Sequence, residues 1–156
     1  PDSLEVKHCH GLVALFRREL TKAEQIFESA VKQSPTNFAA TNNLAVALAE
    51  QDDQAKRQRA LAYAQANVRQ YPHQAEAYAT QGWVLFRLGR TDEAERSLRM
   101  ASTGAIVAPD TNYFLARIAA DEGRAAEARQ LLQTALSSKS AFLLRKEAEE
   151  LAAKLK

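Results

Sequence analysis

The sequence is short of several features that define common protein classes. Cys9 is the only cysteine in the 156 residues, so no disulfide bond can form within the chain. No apolar run approaches the ~20 residues of a membrane-spanning helix, which argues against direct membrane insertion. Lysine and arginine number 21 against 19 acidic residues, and this formal net charge of +2 is too small to predict a nucleic-acid partner, which calls for a concentrated basic stripe.

Residue patterns for catalysis or metal binding are also missing. No nucleophile–base pair, glycine-rich phosphate loop or carboxylate pair has a local signature, so we predict no enzymatic activity and no cofactor. The run His8–His10 does not predict a metal site, because successive helical residues point about 100° apart and cannot converge on one ion. Lys56, Arg57 and Arg59 form a basic cluster that we interpret as a solvated face, with an acidic partner as the alternative.

The most informative stretch, residues 82–101, has the pattern of two short helices joined by a tight turn. Gly89 ends the first helix, since glycine adopts a positive φ after a helix at no steric cost. Ala94, Leu98 and Ala101 recur at i, i+4 and i+7 and mark the apolar face of the second helix. Small alanines on that face allow a partner helix to approach closely, so the stretch predicts a helical hairpin.

This hairpin pattern recurs with a period of 34 residues. Gly89, Ala94 and Leu98 are followed by Gly123, Ala128 and Leu132 at that spacing, and further copies precede them. The second copy is longer because 51–59 holds three extra residues, so we expect that turn to be the longest connection after 103–110. The predicted repeats are residues 4–37, 38–74, 75–108 and 109–142. A fixed period of this size indicates a solenoid.

At these positions the sequence resembles the tetratricopeptide repeat (TPR) family. Gly11 and Gly82 stand in the Leu-Gly pair of that motif, Tyr78 is its opening aromatic residue, and Pro35 and Pro72 are its closing prolines. The resemblance covers nearly the whole chain. It implies an all-α fold, a right-handed α-solenoid of helix-turn-helix hairpins that acts as a non-enzymatic scaffold for protein–protein interaction.

Nine helices are expected, within a single TPR array over residues 1–156. The last segment, 141–156, places Leu144, Ala148 and Leu151 on one face and charged side chains opposite, which is typical of a helix that caps the end of a solenoid. Pro1 falls 34 residues before a closing proline, so we expect the chain to be a piece of a longer protein, cut between repeats. We then expect its open N-terminal end either to fray or to pair with a second copy.

The resemblance also implies that the first helix of each hairpin lines a concave groove. The residues expected to bind a partner there are Leu12, Phe16, Asn42, Val46, Trp83, Phe86, Arg87, Tyr113 and Arg117. Trp83 is the predicted central anchor, because tryptophan is enriched at interaction hot spots. The alternative is that Trp83 stacks on Tyr113 or Phe114 of the next repeat and joins the two repeats together.

One TPR subclass binds C-terminal carboxylates with a clamp of basic and amide side chains. The matching positions here are His8, Leu12, Asn43, Glu76 and Thr80, of which only Asn43 fits. Glu76 would repel a carboxylate, so this type of partner is not expected.

Two hypotheses for function remain. The first is a scaffold whose concave groove binds a peptide or helix of another protein. The second is a structural spacer or self-association segment of a larger envelope, secretion or enzyme assembly, with an empty groove. Exposed groove aromatics would favour the first hypothesis, and their mutual burial would favour the second. The sequence identifies neither the partner nor the cellular compartment.

Overall fold

The computed structural model describes residues 2–104 and 106–155, and within these ranges the protein consists of nine α-helices and no β-strand. None of the described helices is both long enough and apolar enough to cross a membrane. The helices are α1 Leu4–Phe16, α2 Leu20–Gln33, α3 Phe38–Ala49, α4 Gln54–Gln70, α5 Ala75–Arg87, α6 Thr91–Ala101, α7 Pro109–Asp121, α8 Ala125–Ser137 and α9 Arg145–Lys154.

Short polar side chains set several helix starts. Ser3 Oγ accepts a hydrogen bond from the Val6 N–H of α1, and Asn37 Oδ1 accepts one from the third residue of α3 at 2.9 Å. Asp53 Oδ1 accepts the corresponding bond in α4, also at 2.9 Å. Each bond satisfies a backbone donor that has no partner within the first helical turn. After α5, Gly89 adopts the left-handed conformation with a φ of 76°, as its position predicts.

Consecutive helices pack as antiparallel hairpins closed by small side chains. Ala94 and Leu98 of α6 are fully buried against α5, and an added Cβ on Gly82 would lie 2.5 Å from the Leu98 side chain. Ala23 and Phe27 of α2 occupy the matching position against α1. Each hairpin also contacts the next one, so a continuous core runs through the stack. This arrangement confirms the all-α solenoid.

The prediction that 51–59 forms a long turn is wrong. The connection between α3 and α4 covers only residues 50–53, and the three extra residues lengthen α4 to 17 residues. Asp53 caps α4 at its new start, and the residues that follow it are mostly good helix formers. The longest connections are instead 102–108, of which Ala105 lies outside the described residues, and 138–144.

The C-terminal helix begins later than expected, at Arg145 instead of Ala141. Phe142 and Leu144, in the connection before α9, are buried against α7, and the Phe142 ring lies 6.1 Å from that of Tyr113. The Arg145 guanidinium donates to two carbonyl oxygens at the end of α8, at 3.2 and 2.6 Å. These tertiary contacts hold the segment in a non-helical path before α9 packs on α8 through Ala148.

Candidate functional site

A concave cavity of about 460 Å³ lies along the first helices of the hairpins. Helices α1, α3, α5 and α7 contribute its floor, and the connection 102–108 and the segment before α9 contribute its C-terminal wall. Most of the lining is apolar. The contributors from α1 and α3 are Leu12, Leu15, Phe16, Asn42, Asn43, Val46 and, at the α3 C-cap, Glu50.

The cavity brings together five of the nine residues expected to bind a partner, namely Leu12, Phe16, Asn42, Val46 and Trp83. The other four, Phe86, Arg87, Tyr113 and Arg117, are not among its lining residues. Among these four, Arg117 is exposed and pairs with Asp121 one turn later, at 3.3 Å. The cavity lining thus draws mainly on the N-terminal part of the predicted set, and the role of these residues in binding a partner stays a prediction.

Trp83 is not an exposed anchor. Only 6% of its surface is exposed, and its indole stacks on Phe114 of the next repeat with ring centroids 4.3 Å apart and planes 12° apart. Phe86 stacks on it at 5.3 Å, and Tyr113 is buried beside it. This packing corresponds to the interpretation in which Trp83 joins two repeats, because the Phe114 ring covers one face of the indole.

Glu50, which lies at the C-terminal end of α3, is a buried centre of polar contacts. The Trp83 indole N–H donates to its Oε1 atom at 2.5 Å, and the Arg18 guanidinium donates to its Oε2 atom at 2.9 Å. Arg87 approaches the same carboxylate at 3.9 Å and lies over the Trp83 ring, 5.8 Å from its centroid. Burial lowers the pKa of Arg87, and the negative charge of Glu50 counters that effect. Arg87 therefore contacts Glu50 and Trp83 within the array and lies outside the cavity lining.

The basic cluster on α4 is engaged within the protein. Lys56 Nζ lies 2.6 Å from Glu24 of α2, and Arg59 lies 2.6 Å from Glu28 on the same helix. Arg57 pairs with Asp52 at 3.0 Å. These contacts replace the solvated face that the sequence indicated, because the long side chains of Lys56 and Arg59 reach carboxylates of α2.

Two carboxylates of the cavity have shifted pKa values. Burial raises the pKa of Asp110 to about 6 in spite of backbone hydrogen bonds that act to lower it, and Glu76 adds to the increase. Burial also raises the pKa of Glu76, while His8 acts in the opposite direction. Asn42 Nδ2 donates to Glu76 Oε1 at 3.2 Å, whereas Asn42 Oδ1 is buried with no donor among the described residues. The sequence does not distinguish Glu76 and Asp110 from other acidic residues in the first turn of a helix. Only the structure shows that the cavity buries them.

No metal centre is evident in the described part of the chain. Histidine, cysteine and acidic side chains there form no group of three or more that could hold a metal ion. Cys9 is exposed on α1. The chemistry that the cavity lining offers is apolar contact and hydrogen bonding to polar side chains, namely Asn42, Asn43, Glu50, Glu76, Thr80, Asp110 and Thr111.

Comparison with known proteins identifies the repeat. A family model described as tetratricopeptide repeat matches residues 10–56 and 52–106. A thermophilic TPR protein from Thermus thermophilus superposes with a TM-score of 0.77 at 23% identity, over 98% of this chain and 83% of that one. A TPR protein from Parabacteroides merdae has a TM-score of 0.77 at 16% identity, covering 98% and 59%. PilF of Pseudomonas aeruginosa has a TM-score of 0.68 at 19% identity, covering 98% and 76%.

The curated proteins compared with this chain give no match. The solved structures are similar in fold, at identities too low to transfer a partner. Since the family model matches more than half of the sequence and the helical hairpins stack as that motif requires, the chain belongs to the tetratricopeptide repeat family, whose fold typically serves as a non-enzymatic scaffold for protein–protein interaction.

Proposed function

We propose that this TPR array binds an extended segment or a helix of a partner protein in its concave cavity. The supporting observation is the cavity itself, about 460 Å³ with a mainly apolar lining. Phe16 is half exposed at one edge, and Ile106 is largely exposed at the other. An apolar concave surface with exposed edges is the type of site in which side chains of a peptide or helix are buried.

The anchors of this site are aliphatic instead of aromatic. Leu12 and Val46 are partly buried along the cavity floor, so a ligand can still remove apolar surface from water there. Burial of such surface contributes about 25 cal/mol per Å². Trp83 is held against Phe114 by ring stacking and is only 6% exposed. Contact with Trp83 therefore contributes little binding energy for a ligand.

The experiment uses peptides selected on the folded array. Phage-displayed random 16-residue peptides are panned on the protein, and the enriched sequences are synthesised with a fluorescent label. Val46→Arg, which places a charged side chain on the cavity floor, is expected to weaken their binding at least tenfold by fluorescence polarisation. Met100→Arg is the matched control, because Met100 is an exposed apolar residue of α6 outside the cavity, and it should change affinity less than twofold.

The spacer hypothesis remains as the second candidate. The mutual burial of Trp83, Tyr113 and Phe114 favours the spacer hypothesis, since this cluster joins the third and fourth repeats and exposes little surface to a ligand. The peptide-panning experiment described above distinguishes the two functions. If panning yields only peptides that bind Val46→Arg and the parent protein equally well, the cavity is not a binding site and the spacer hypothesis is favoured.

A further inference from the structure

Three polar side chains from consecutive first helices face the same cavity. Asn42 comes from α3, Glu76 from the first turn of α5 and Asp110 from the first turn of α7. Glu50 also lines the cavity, but its carboxylate is already engaged by Arg18 and Trp83. The charges and hydrogen bonds of Asn42, Glu76 and Asp110 are therefore a source of specificity for a ligand.

Among the described residues, neither carboxylate is paired with a lysine or arginine, although His8 acts on Glu76 and the backbone of Leu143 and Leu144 hydrogen-bonds to Asp110. Within residues 2–104 and 106–155, no lysine or arginine nitrogen lies within 4 Å of Glu76 or Asp110. By contrast, the buried acids Glu50 and Glu24 are each paired with two basic side chains. A carboxylate removed from water without a counter-charge is unfavourable.

An independent observation concerns Asn42. This side chain is only 2% exposed, and its Nδ2 group points to Glu76 Oε1 at 3.2 Å. Its Oδ1 atom is buried without a donor in the described part of the chain. A buried acceptor without a donor is unfavourable, so this oxygen has capacity for one more hydrogen-bond donor.

Interaction with the helix dipole does not explain the two acids. Carboxylates in a first helical turn are stabilised in their charged form, which lowers the pKa. Glu5 behaves in this way at the matching position of α1, where its own backbone N–H and Ser3 lower the pKa. The pKa values of Glu76 and Asp110 move in the opposite direction because the cavity desolvates both groups.

We propose that Glu76, Asp110 and Asn42 form a cation subsite, and that the partner segment presents a lysine or arginine beside apolar residues. This inference rests on the proposed function of the cavity. An ammonium or guanidinium group supplies only donors, and it can bond two carboxylates and an amide oxygen together. The surrounding apolar walls contact the side chains that flank this residue. The proposed partner segment thus carries a positive charge beside apolar residues. The ligands of the carboxylate-clamp subclass carry a negative charge instead.

The test uses the same displayed 16-residue peptides. The double variant Glu76→Gln, Asp110→Asn removes both charges with little change in shape. Glu149→Gln, Glu150→Gln is the matched control, since it removes two charges from exposed positions of α9 outside the cavity lining. We expect lysine or arginine at a fixed spacing from apolar residues in the enriched peptides. Their affinity should fall at least tenfold for the groove variant and less than twofold for the control, and replacing the basic residue of the peptide by glutamine should cause the same loss.

The outcomes separate the two proposals. Peptides that lose affinity for Val46→Arg but lack a conserved basic residue, or bind the groove double variant unchanged, overturn the cation subsite and leave the binding cavity in place. An equal loss in the α9 control means that the attraction is long-range and also overturns the subsite. Peptides insensitive to Val46→Arg overturn both. Urea denaturation of each variant checks that the loss of binding is not a loss of folding.

Discussion

The indole N–H of Trp83 donates to the carboxylate of Glu50 at 2.5 Å, which joins the start of the α3–α4 connection to the middle of α5. Both residues are 6% exposed. Hydrogen bonds to charged groups are stronger than neutral ones, particularly where water is excluded. The contact fixes the third repeat against the second on one side of Trp83, while the stack on Phe114 fixes the fourth repeat on the other.

Replacement of Trp83 is therefore expected to affect stability more than binding. Trp83→Ala should lower the free energy of unfolding by about 3–5 kcal/mol, because it leaves a large cavity between repeats. Trp83→Phe keeps most of the ring contact and loses the hydrogen bond to Glu50, at a cost of about 1.5–3 kcal/mol. Urea denaturation followed by circular dichroism measures both values. A near-neutral Trp83→Ala would mean that the indole does not hold the repeats together.

Arg18 occupies the turn position at which the later repeats have Gly89 and Gly123. Its φ is 60°, in the left-handed region, where a non-glycine residue costs roughly 1 kcal/mol. Arg18→Gly and Arg18→Ala both remove the ion pair with Glu50, so their difference isolates the backbone effect. We expect the glycine variant to be the more stable by roughly 1 kcal/mol. At Arg17, whose φ is −82°, the order should reverse, with alanine the more stable.

The close approach at Gly82 predicts a steric limit. An added Cβ would lie 2.5 Å from Leu98 Cγ and 3.0 Å from the Ala94 carbonyl oxygen. Gly82→Ala should therefore separate α5 from α6 and cost about 1–3 kcal/mol of stability. Gly104→Ala is the control, because the nearest atom to its added Cβ is 3.7 Å away. A thermal midpoint unchanged by Gly82→Ala would contradict the packing of this hairpin.

The raised pKa of Asp110 predicts a pH-dependent effect on stability. Its folded-state pKa is about 6, against an ordinary value of 3.8, so the folded protein binds the proton more tightly than the unfolded chain. The charged form then destabilises the fold fully above about pH 6, and this cost disappears as the pH falls toward 4. Asp110→Asn should raise the free energy of unfolding by roughly 1–2 kcal/mol at pH 7.5 and change it little at pH 4.

Urea denaturation at both pH values checks this prediction. The charge of Glu76 contributes to the raised pKa of Asp110, so the difference between the two proteins includes the repulsion between these two groups. Glu149→Gln, at an exposed position of α9, should show no such difference between the two pH values. A gain of equal size at pH 4 and pH 7.5 would mean that Asp110 acts through packing instead of charge.

The exposed apolar residues of α1 predict weak self-association. Val6, Val13 and Phe16 are 40–50% exposed on α1, and a second copy would bury them. We expect sedimentation velocity to show a mass that rises with concentration, and Val13→Glu to restore a monomer. Met100→Glu serves as the control, since Met100 is similarly exposed on α6. A monomer at all concentrations would show that this face has no affinity for a second copy.

The sequence was sufficient to predict the helices, their order and the pairing within each hairpin. These depend on local patterns, since glycine turns, capping residues and the Ala94–Leu98–Ala101 face each act within a few residues. Where local patterns competed, the prediction was less accurate. The repeat period predicts a turn over 51–59, although residues 54–59 are all good helix formers and belong to α4. The apolar pattern predicts a helix from Ala141, although Phe142 and Leu144 are buried before α9 begins at Arg145.

The sequence by itself determined that this protein is a stack of TPR hairpins with a concave face, because a repeated pattern of small and large apolar residues can be buried only by stacking. Tertiary structure alone decided what that face offers a ligand. Whether Trp83 is accessible depends on where the ring of Phe114 lies, one repeat away. Whether Glu76 and Asp110 are ordinary first-turn acids or desolvated charges depends on the walls around them. Exposure and electrostatics are set by neighbours distant in sequence, and a repeat pattern does not specify them.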